Sequence, residues 1–408
     1  MSHIDDIIQQ LAPSGVQFKM VGEVSSSGAN IRWAAIEDQE FKYIDLSSVD
    51  RDTHRIGETE TITSMDAPSR AQQIVRTGDV IFATTRPTQM RWAIIPPEYD
   101  GQIASTGYCV LRPDGAQVLT NFLAHLLGTE RFKRYVEVKQ VPGNYPSIPD
   151  SLVRAFSIPV PPLEVQQEIV RVLDTFQELE AELEAELEAR KKQYEFYRDS
   201  LLNFTDSRER VRWLTLGDIG ELIRGTGIQK SDFIEDGVGC IHYGQIHTHY
   251  GTWATETKTF VSAELARRSR HAKTGDLVIA TTSEDDAAVG KATAWLGVDE
   301  VAVSADAFIL SHTMDPKFVS YFFQTDDFRK QKQKHITGTK VRRIGKEGLS
   351  KIIIPVPPLE IQQKISSVLD KFDALVNDIS VGLPAELIAR RQQYEFYRDR
   401  LLSFEAVA

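Results

Sequence analysis

Cysteine is almost absent: Cys109 and Cys240 are the only two in 408 residues. Two thiols this far apart in the chain support neither a disulfide framework nor a four-ligand zinc cluster, and a reducing cytoplasm is the expected setting. No apolar run reaches the roughly 18 residues of a membrane span, so none is expected. The first residues carry Asp5 and Asp6 and no basic stretch, so they do not read as a secretory signal. Positive charge is in deficit, with Lys+Arg 47 against Asp+Glu 58 and a net charge of −11. That excludes a chain basic all over but leaves room for a local basic face, and it predicts weak DNA binding by the isolated chain. Catalytic signatures are missing too. Gly290-Lys291 lacks the upstream glycine and the following Ser/Thr of a phosphate-binding loop. Ile95-Pro-Pro-Glu-Tyr99 lacks the acid or amide that an amino-methyltransferase loop needs before its prolines. No nucleophile elbow, paired-histidine zinc helix or glycine-rich dinucleotide loop occurs.

What the chain does have is itself, twice. Ile158-Pro-Val-Pro-Pro-Leu-Glu-Val-Gln-Gln-Glu-Ile-Val-Arg-Val-Leu-Asp-Thr-Phe176 returns 196 residues later, from Ile354 to Phe372, with fourteen of nineteen positions identical. Gln193-Tyr-Glu-Phe-Tyr-Arg-Asp-Ser-Leu-Leu-Asn-Phe204 returns 200 residues later, ending at Phe404, with ten of twelve identical. The second copy therefore holds four extra residues between Phe372 and Arg390. Weaker echoes precede these blocks: Thr77-Gly-Asp-Val-Ile-Phe-Ala-Thr-Thr85 matches Thr274-Gly-Asp-Leu-Val-Ile-Ala-Thr-Thr282. A period this long is no solenoid. It reads as a duplicated two-part unit with approximate two-fold symmetry.

The repeated blocks predict long helices. Pro161-Pro162 and Pro357-Pro358 set an extended approach, after which a helix is free to start. Apolar residues then fall at Ile169, Leu173, Phe176, Leu179, Leu183, Leu187, Tyr194, Tyr197 and Leu201, and at Ile365, Leu369, Phe372, Leu375, Ile379, Leu383, Leu387, Tyr394, Tyr397 and Leu401. Spacings of three and four are those of a coiled-coil seam, so the two copies are expected to pair antiparallel. A helix over residues 163–203 would be ~60 Å long. Gly382 and Pro384 predict a kink or break in the second copy. The blocks between read as compact α+β domains, each ending in a helical stretch at residues 118–136 and 316–334. The expected architecture is α+β: two mixed domains (1–157 and 205–353) separated by helical spacers (158–204 and 354–408).

Binding surfaces are sought where charge is uneven. Residues 328–346 hold Arg329, Lys330, Lys332, Lys334, Lys340, Arg342, Arg343 and Lys346 and no acid, which reads as eight uncompensated cations awaiting phosphate. Lys340, Arg342 and Arg343 are the candidates there, the arginines able to fork onto a guanine edge. The first-half counterpart offers Lys139, Asn144 and Tyr145. A second segment interleaves His242, Tyr243, Gln245, His247, His249 and Tyr250, residue types that stack on bases or read their edges. With Cys240 its histidines raise metal binding, but their spacing fits no standard site. Arg55, Arg86, Arg91, Arg224, Lys230, Arg267, Arg268 and Arg270 complete the DNA-contact candidates, several of them after a strand, where loops carry function. On the helices, the acids from Glu178 to Glu188 read as a solvated face. Tyr-Glu-Phe-Tyr-Arg-Asp places aromatics on two helix faces, because residues two apart lie ~200° apart, and so suggests a protein partner, twice over.

The order of these parts resembles the DNA specificity subunit of type I restriction–modification enzymes over essentially the whole chain. The doubled Pro-Pro-Leu-Glu-x-Gln-Gln block, the Thr-Gly-Asp strand and the Ala-Glu-Leu-Glu tetrads of residues 181–188 carry that resemblance. The tetrads, with Tyr-Glu-Phe-Tyr-Arg-Asp, are most similar to the subgroup with four-residue repeats in the central helix. The resemblance implies two target recognition domains, each reading half of a split site in double-stranded DNA. It implies helices that set the gap and dock two methyltransferase subunits, which bind S-adenosylmethionine and methylate adenine N6. Motor-nuclease subunits, with ATP and Mg²⁺, would join for cleavage. The chain itself would bind no cofactor and catalyse nothing. Matched motifs place docking on Leu163, Glu164, Gln166, Gln167, Tyr194, Phe196, Tyr197 and Arg198, and on Leu359, Glu360, Gln362, Gln363, Tyr394, Phe396, Tyr397 and Arg398. The rival readings are a stand-alone DNA methyltransferase or nuclease, which lacks a cofactor loop, and a scaffold without DNA, against which the basic stretch speaks.

Overall fold

The computed structural model describes residues 6, 10–11, 15–37, 39–204, 211–378 and 380–406. The leading residues 1–5 and Ile379 of the second apolar stripe lie outside the described residues. Helices α1 (Thr120–Gly128), α2 (Glu130–Lys139) and α3 (Leu163–Leu202) belong to the first copy of the repeat. Helices α4 (Pro316–Phe322), α5 (Asp326–Gln333), α6 (Leu359–Asn377) and α7 (Leu383–Leu401) belong to the second.

The recurrent Thr-Gly-Asp builds a turn. Gly78 and Gly275 hold φ of +84° and +96°, left-handed backbone that a side chain would strain. Asp79 and Asp276 close the turn, each carboxylate accepting the amide of Arg76 or Lys273 at 2.8 Å. The turn feeds the central strand of each domain, Val80–Ala83 or Leu277–Ala280, every residue of which is buried. Around Val80–Ala83 an antiparallel sheet runs in the order Ser25–Ser26, Tyr108–Pro113, Val80–Ala83, Trp92–Ile94. Around Leu277–Ala280 the order is Gly220–Arg224, Ala307–His312, Leu277–Ala280, Ala292–Trp295, Trp253–Ala254. A second sheet of five strands in the first domain and of four in the second completes the mixed α+β architecture.

Each repeated block opens on a strand rather than a spacer. Ser157–Val160 pairs antiparallel with Gln17–Met20, and Ile353–Val356 with Arg212–Thr215. Each terminal helical stretch, expected as one helix, is two. Thr129 and Thr325, equivalent in the repeat, stand in extended backbone and accept the amides of Phe132 and Phe328 at 3.3 and 3.2 Å. A side-chain cap that starts α2 or α5 necessarily ends the helix before it. The expected break in the second long helix falls between α6 and α7. A Cβ on Gly382 would lie 2.3 Å from the Ala374 carbonyl oxygen, so only glycine lets the chain fold back over the end of α6. Pro384 then sits in the first turn of α7, where no amide is missed.

Compactness cuts the chain elsewhere than the repeat does. One unit is Met1–Leu183 with Leu387–Ala408; the other is Glu184–Glu386. Helix α3 thus serves the first unit with its first half and the second unit with its other half. In the first unit α7 runs antiparallel to α3: Tyr397 stacks on Phe176 at 5.4 Å, and Arg391 meets Glu180 at 2.5 Å. In the second, the end of α3 runs antiparallel to α6, with Tyr197 on Phe372 at 5.5 Å. The apolar stripe is buried at Ile169, Leu173, Leu187 and Tyr194, whereas Leu179 between them is 45% exposed and its last member, Leu201, is half-buried beside the buried Leu202.

A polar seam fastens α7 in the first unit. The buried His125 ring lies 2.9 Å from Asp174 on one side and 2.9 Å from the Tyr394 hydroxyl on the other, while Asn121 donates to Asp174 at 2.8 Å. The equivalent places in the second unit hold Lys317 and Tyr321, which donate to Asp370 at 2.6 and 2.7 Å. Burial alone would raise the Asp174 carboxyl, but the bonds from His125 and Asn121 more than offset it and hold it below its ordinary value. A depressed carboxyl stabilises above its unfolded pKa, and that contribution disappears as pH falls through the folded value. The stability gap between wild type and Asp174→Ala should therefore shrink as pH drops below about 4, measured by thermal melts across the acid range.

Candidate nucleic-acid interface and docking surface

Both domains clip a loop to the end of the Ala-Thr-Thr strand. In the first, Thr85 bridges Ser147, the Arg86 amide donates to the Pro146 carbonyl at 2.7 Å and the Ile148 amide to that of Thr84 at 2.9 Å. Arg86 stands in left-handed backbone, φ +51°, with its guanidinium 5.0 Å from the centre of the Tyr145 ring. Arg86, Lys139, Asn144 and Tyr145 lie on this loop pair or its approach, Arg86, Asn144 and Tyr145 exposed, so the structure brings these four candidates together. Arg91 does not join them. It is half-buried and donates to the Leu46 carbonyl, a structural task. Arg55 lies apart, in a hollow lined by Asp45, Asp50, Glu58 and Glu60.

In the second domain Thr282–Ser283 pairs antiparallel with Arg342–Ile344, Thr282 opposite Arg343 and Ser283 opposite Arg342. Lys340 and Arg343 are exposed. The short helix Tyr243–Thr248 reaches the same strand end, with His247 Nε2 3.0 Å from the Thr282 carbonyl oxygen. The Tyr243 amide donates to Ser304 Oγ at 2.8 Å, and Arg224 Nε to the neighbouring Ala305 carbonyl at 3.0 Å. The Arg270 carbonyl accepts from Val303 at 3.0 Å, so Arg270 joins this end of the domain. His249, Lys230, Arg267 and Arg268 are exposed on loops and a short helix, Arg268 beside Glu264 at 3.7 Å.

Several candidates face inward instead. Buried His242 accepts the Gly244 amide through Nδ1, and burial lowers its pKa, keeping it neutral. The Tyr250 hydroxyl accepts from Lys258, and Gln245 is engaged with Thr259 at 3.0 Å. Cys240 is buried with Sγ 3.3 Å from Thr259 Oγ1, and among the described residues no three His, Cys, Asp or Glu side chains are grouped to hold a metal ion. The basic stretch also needs correction, for three of its eight cations are engaged within the chain. Arg329 pairs with Asp326 at 2.6 Å, Arg342 with Asp286 at 2.9 Å, and Lys332 is buried on backbone carbonyls. The acids come from just upstream and from a distant loop, both outside the basic stretch itself.

On the helices the docking candidates separate by face. Gln166 is fully buried: it accepts the Leu119 amide at 2.9 Å and donates to the Gln117 and Pro161 carbonyls at 2.9 and 2.8 Å. Gln362 does likewise with Asp315 and Pro357. Tyr194 and Tyr394 are buried, with Arg198 and Arg398 over their rings at 5.6 and 5.4 Å. Five of these six are buried and Arg398 is half-buried, so they are engaged mainly inside the chain. Tyr197 and Tyr397 give one ring face to Phe372 or Phe176. Phe196 and Phe396 remain outside, 67% and 60% exposed, together with Glu164, Gln167, Leu359, Glu360 and Gln363; Leu163 is half-buried. The motif's aromatics thus divide into a buried tyrosine (Tyr194 or Tyr394), a tyrosine stacked on one face and open on the other (Tyr197 or Tyr397), and an outward phenylalanine.

A family model described as "Type I restriction modification DNA specificity domain" matches residues 14–189 and, again, 210–389. The chain belongs to this family. Its DNA-binding, restriction-system character follows from that membership. Over 257 residues it is 36% identical to the type I restriction enzyme EcoR124I/EcoR124II specificity subunit of Escherichia coli, covering 59% of this chain and 60% of that one. It therefore spans under two thirds of that relative's length. A Haemophilus influenzae protein provisionally named type I restriction enzyme specificity subunit S.HindORF215P is 31% identical over 297 residues, 70% of this chain and 69% of that one. A solved chain described under "Structural basis underlying complex assembly and conformational transition of the type I R-M system" aligns with TM-score 0.68 at 25% identity, covering 95% of this chain and 97% of that one. No described helix of this family member is long and apolar enough to cross a membrane.

Sequence reasoning passed over the seam of Asn121, His125 and Asp174. One signal was there: Asp174 and Asp370 occupy the same place in the repeat. It also took the repetition of both glutamines as a sign of docking, when the first is an interior bracket.

Proposed function

We propose that this chain is the non-catalytic specificity subunit of a type I restriction–modification complex, each recognition domain reading one half of a bipartite DNA site. The duplicated strand-end clip supports this reading best. At the same place in both domains a central strand runs out into a loop pair carrying cations and polar side chains, Arg86, Lys139, Asn144 and Tyr145 in one, Lys340 and Arg343 in the other. Such side chains on a rigid strand end can hold phosphates and reach base edges. Two methyltransferase subunits dock on the outward faces of the repeated helices, one around Gln167 and Phe396 of the first unit and one around Gln363 and Phe196 of the second. They carry S-adenosylmethionine and methylate adenine N6, each on an adenine presented by one domain. Motor-nuclease subunits with ATP and Mg²⁺ add cleavage of unmodified DNA. Exchanging residues 1–157 for those of another family member tests the reading. Sequencing of modified adenines in cells carrying the chimera and its methyltransferase should show new letters in one half-site only. Changes in both halves would count against it.

A further inference from the structure

The second unit buries a lysine where the first buries a valine. Lys332 in α5 and Val136 in α2 stand at equivalent places in the repeat, 3% and 0% exposed. A buried ammonium is costly unless its donors are used. Here Nζ donates to the carbonyls of Ala287 at 2.6 Å and Val289 at 2.5 Å. Both carbonyls belong to a loop that is longer than its first-unit counterpart. Phe82 pairs with Trp92, and its equivalent Ile279 pairs with Ala292, so the second copy has three more residues between the strands. After the Thr-Thr the longer loop reads Ser283-Glu284-Asp285-Asp286, where the first copy has Arg86-Pro87-Thr88-Gln89. Asp286 lies 2.9 Å from Arg342 Nε, and Arg342 Nη1 donates to the Gly338 carbonyl at 2.7 Å. Contacts therefore run from the interior of α5, through the inserted loop, to an arginine of the basic hairpin.

We propose that Lys332 is a positioning residue of the second recognition domain: its ammonium clamps the inserted loop so that Asp286 holds Arg342 in the pose from which the hairpin reads its half of the site. The inference rests on the DNA-reading function proposed above. A guanidinium recognises a base edge as a planar fork, so its orientation matters as much as its charge. The charged and titratable groups around the ammonium are Arg329 on its own helix, Asp285 and Asp286 on the loop, Lys291 and His247 beside it, and Asp373 of α6, which lines the same hollow. Burial, with Arg329 nearby, lowers the Lys332 pKa to about 8. The clamp is charged below that value and weakens as pH rises through it.

Two variants separate positioning from mere packing. Lys332→Met keeps the stem and removes the donors; Asp286→Asn leaves the interior alone and removes the ion pair. The full chain, assembled with its methyltransferase, is tested by gel shift on duplexes carrying the mapped methylation site or one changed letter in either half. Both variants should lose about ten-fold discrimination at the same letters of one half, leaving the other half and the gap unchanged. Wild-type discrimination in that half should fall between about pH 7 and pH 9, and Lys332→Met should be flat. Unaltered discrimination in Asp286→Asn, or a wild type without that pH dependence, overturns the proposal even if Lys332→Met misfolds. A wild-type complex that discriminates in neither half would overturn the DNA-reading function itself, which is a different result.

Discussion

Deleting residues 181–184, one turn of α3, abolishes methylation at the original site and moves it to a site with a different gap, while the letters of both half-sites stay the same. The expected loss at the original site is at least about a hundred-fold, the scale of a lost half-site. The reason lies in the helix. Helix α3 is one continuous run of 40 residues that leaves the first unit and enters the second near Leu183. Four residues fewer shorten it by ~6 Å and rotate its downstream half by about 40°. Two domains on such a rod can meet half-sites at one separation and phase only. The letters should survive because the candidate reading residues Arg86, Tyr145 and Arg343 sit on strand ends and hairpins of the recognition domains, not on α3. Mapping modified adenines for the deletion and the wild type decides it; altered half-site letters, or an unmoved gap, would refute a gap-setting role for α3.

Gln166→Ala should cost about 3 kcal/mol and lower the melting temperature of the first unit by roughly 6–12 °C. The side chain is buried and makes three hydrogen bonds that join the domain to the start of α3. Truncation leaves the Leu119 amide and the Pro161 carbonyl without partners in a dry place, which costs more than the bonds themselves were worth. Gln362→Ala should act the same way in the second unit, with two bonds lost rather than three. Gln167→Ala, on the exposed side of the same turn, is the control: its melting is unchanged, and assembly with the methyltransferase weakens in sedimentation experiments. Equal stability of Gln166→Ala and wild type would refute the bracket.

The Gln pair shows how far the sequence could be read. Identical motifs at Leu163 and Leu359 marked the segment, the helix and the family, but adjacent residues on a helix differ by about 100° in direction. Which glutamine looks inward depends on where Leu119 or Asp315 lies, 47 residues away. Tyr-Glu-Phe-Tyr-Arg-Asp behaves alike: its aromatics were visible, their division into a buried Tyr, a Tyr stacked on one face only and an outward Phe was not. The basic stretch failed for the opposite reason. Its charge was counted locally, and Asp286, which occupies Arg342, belongs to another loop.

The amino-acid sequence alone determined the duplication, the α+β class, the long helix from Leu163, the break at Gly382 and the family, because each is written in residues next to one another. Only the tertiary structure decided that α3 divides between two compact units, that His125 and Tyr394 fasten one end, and which cations of the basic stretch are paired. Those outcomes rest on contacts such as Arg391 with Glu180, 211 residues apart, and no local pattern encodes a partner at that distance.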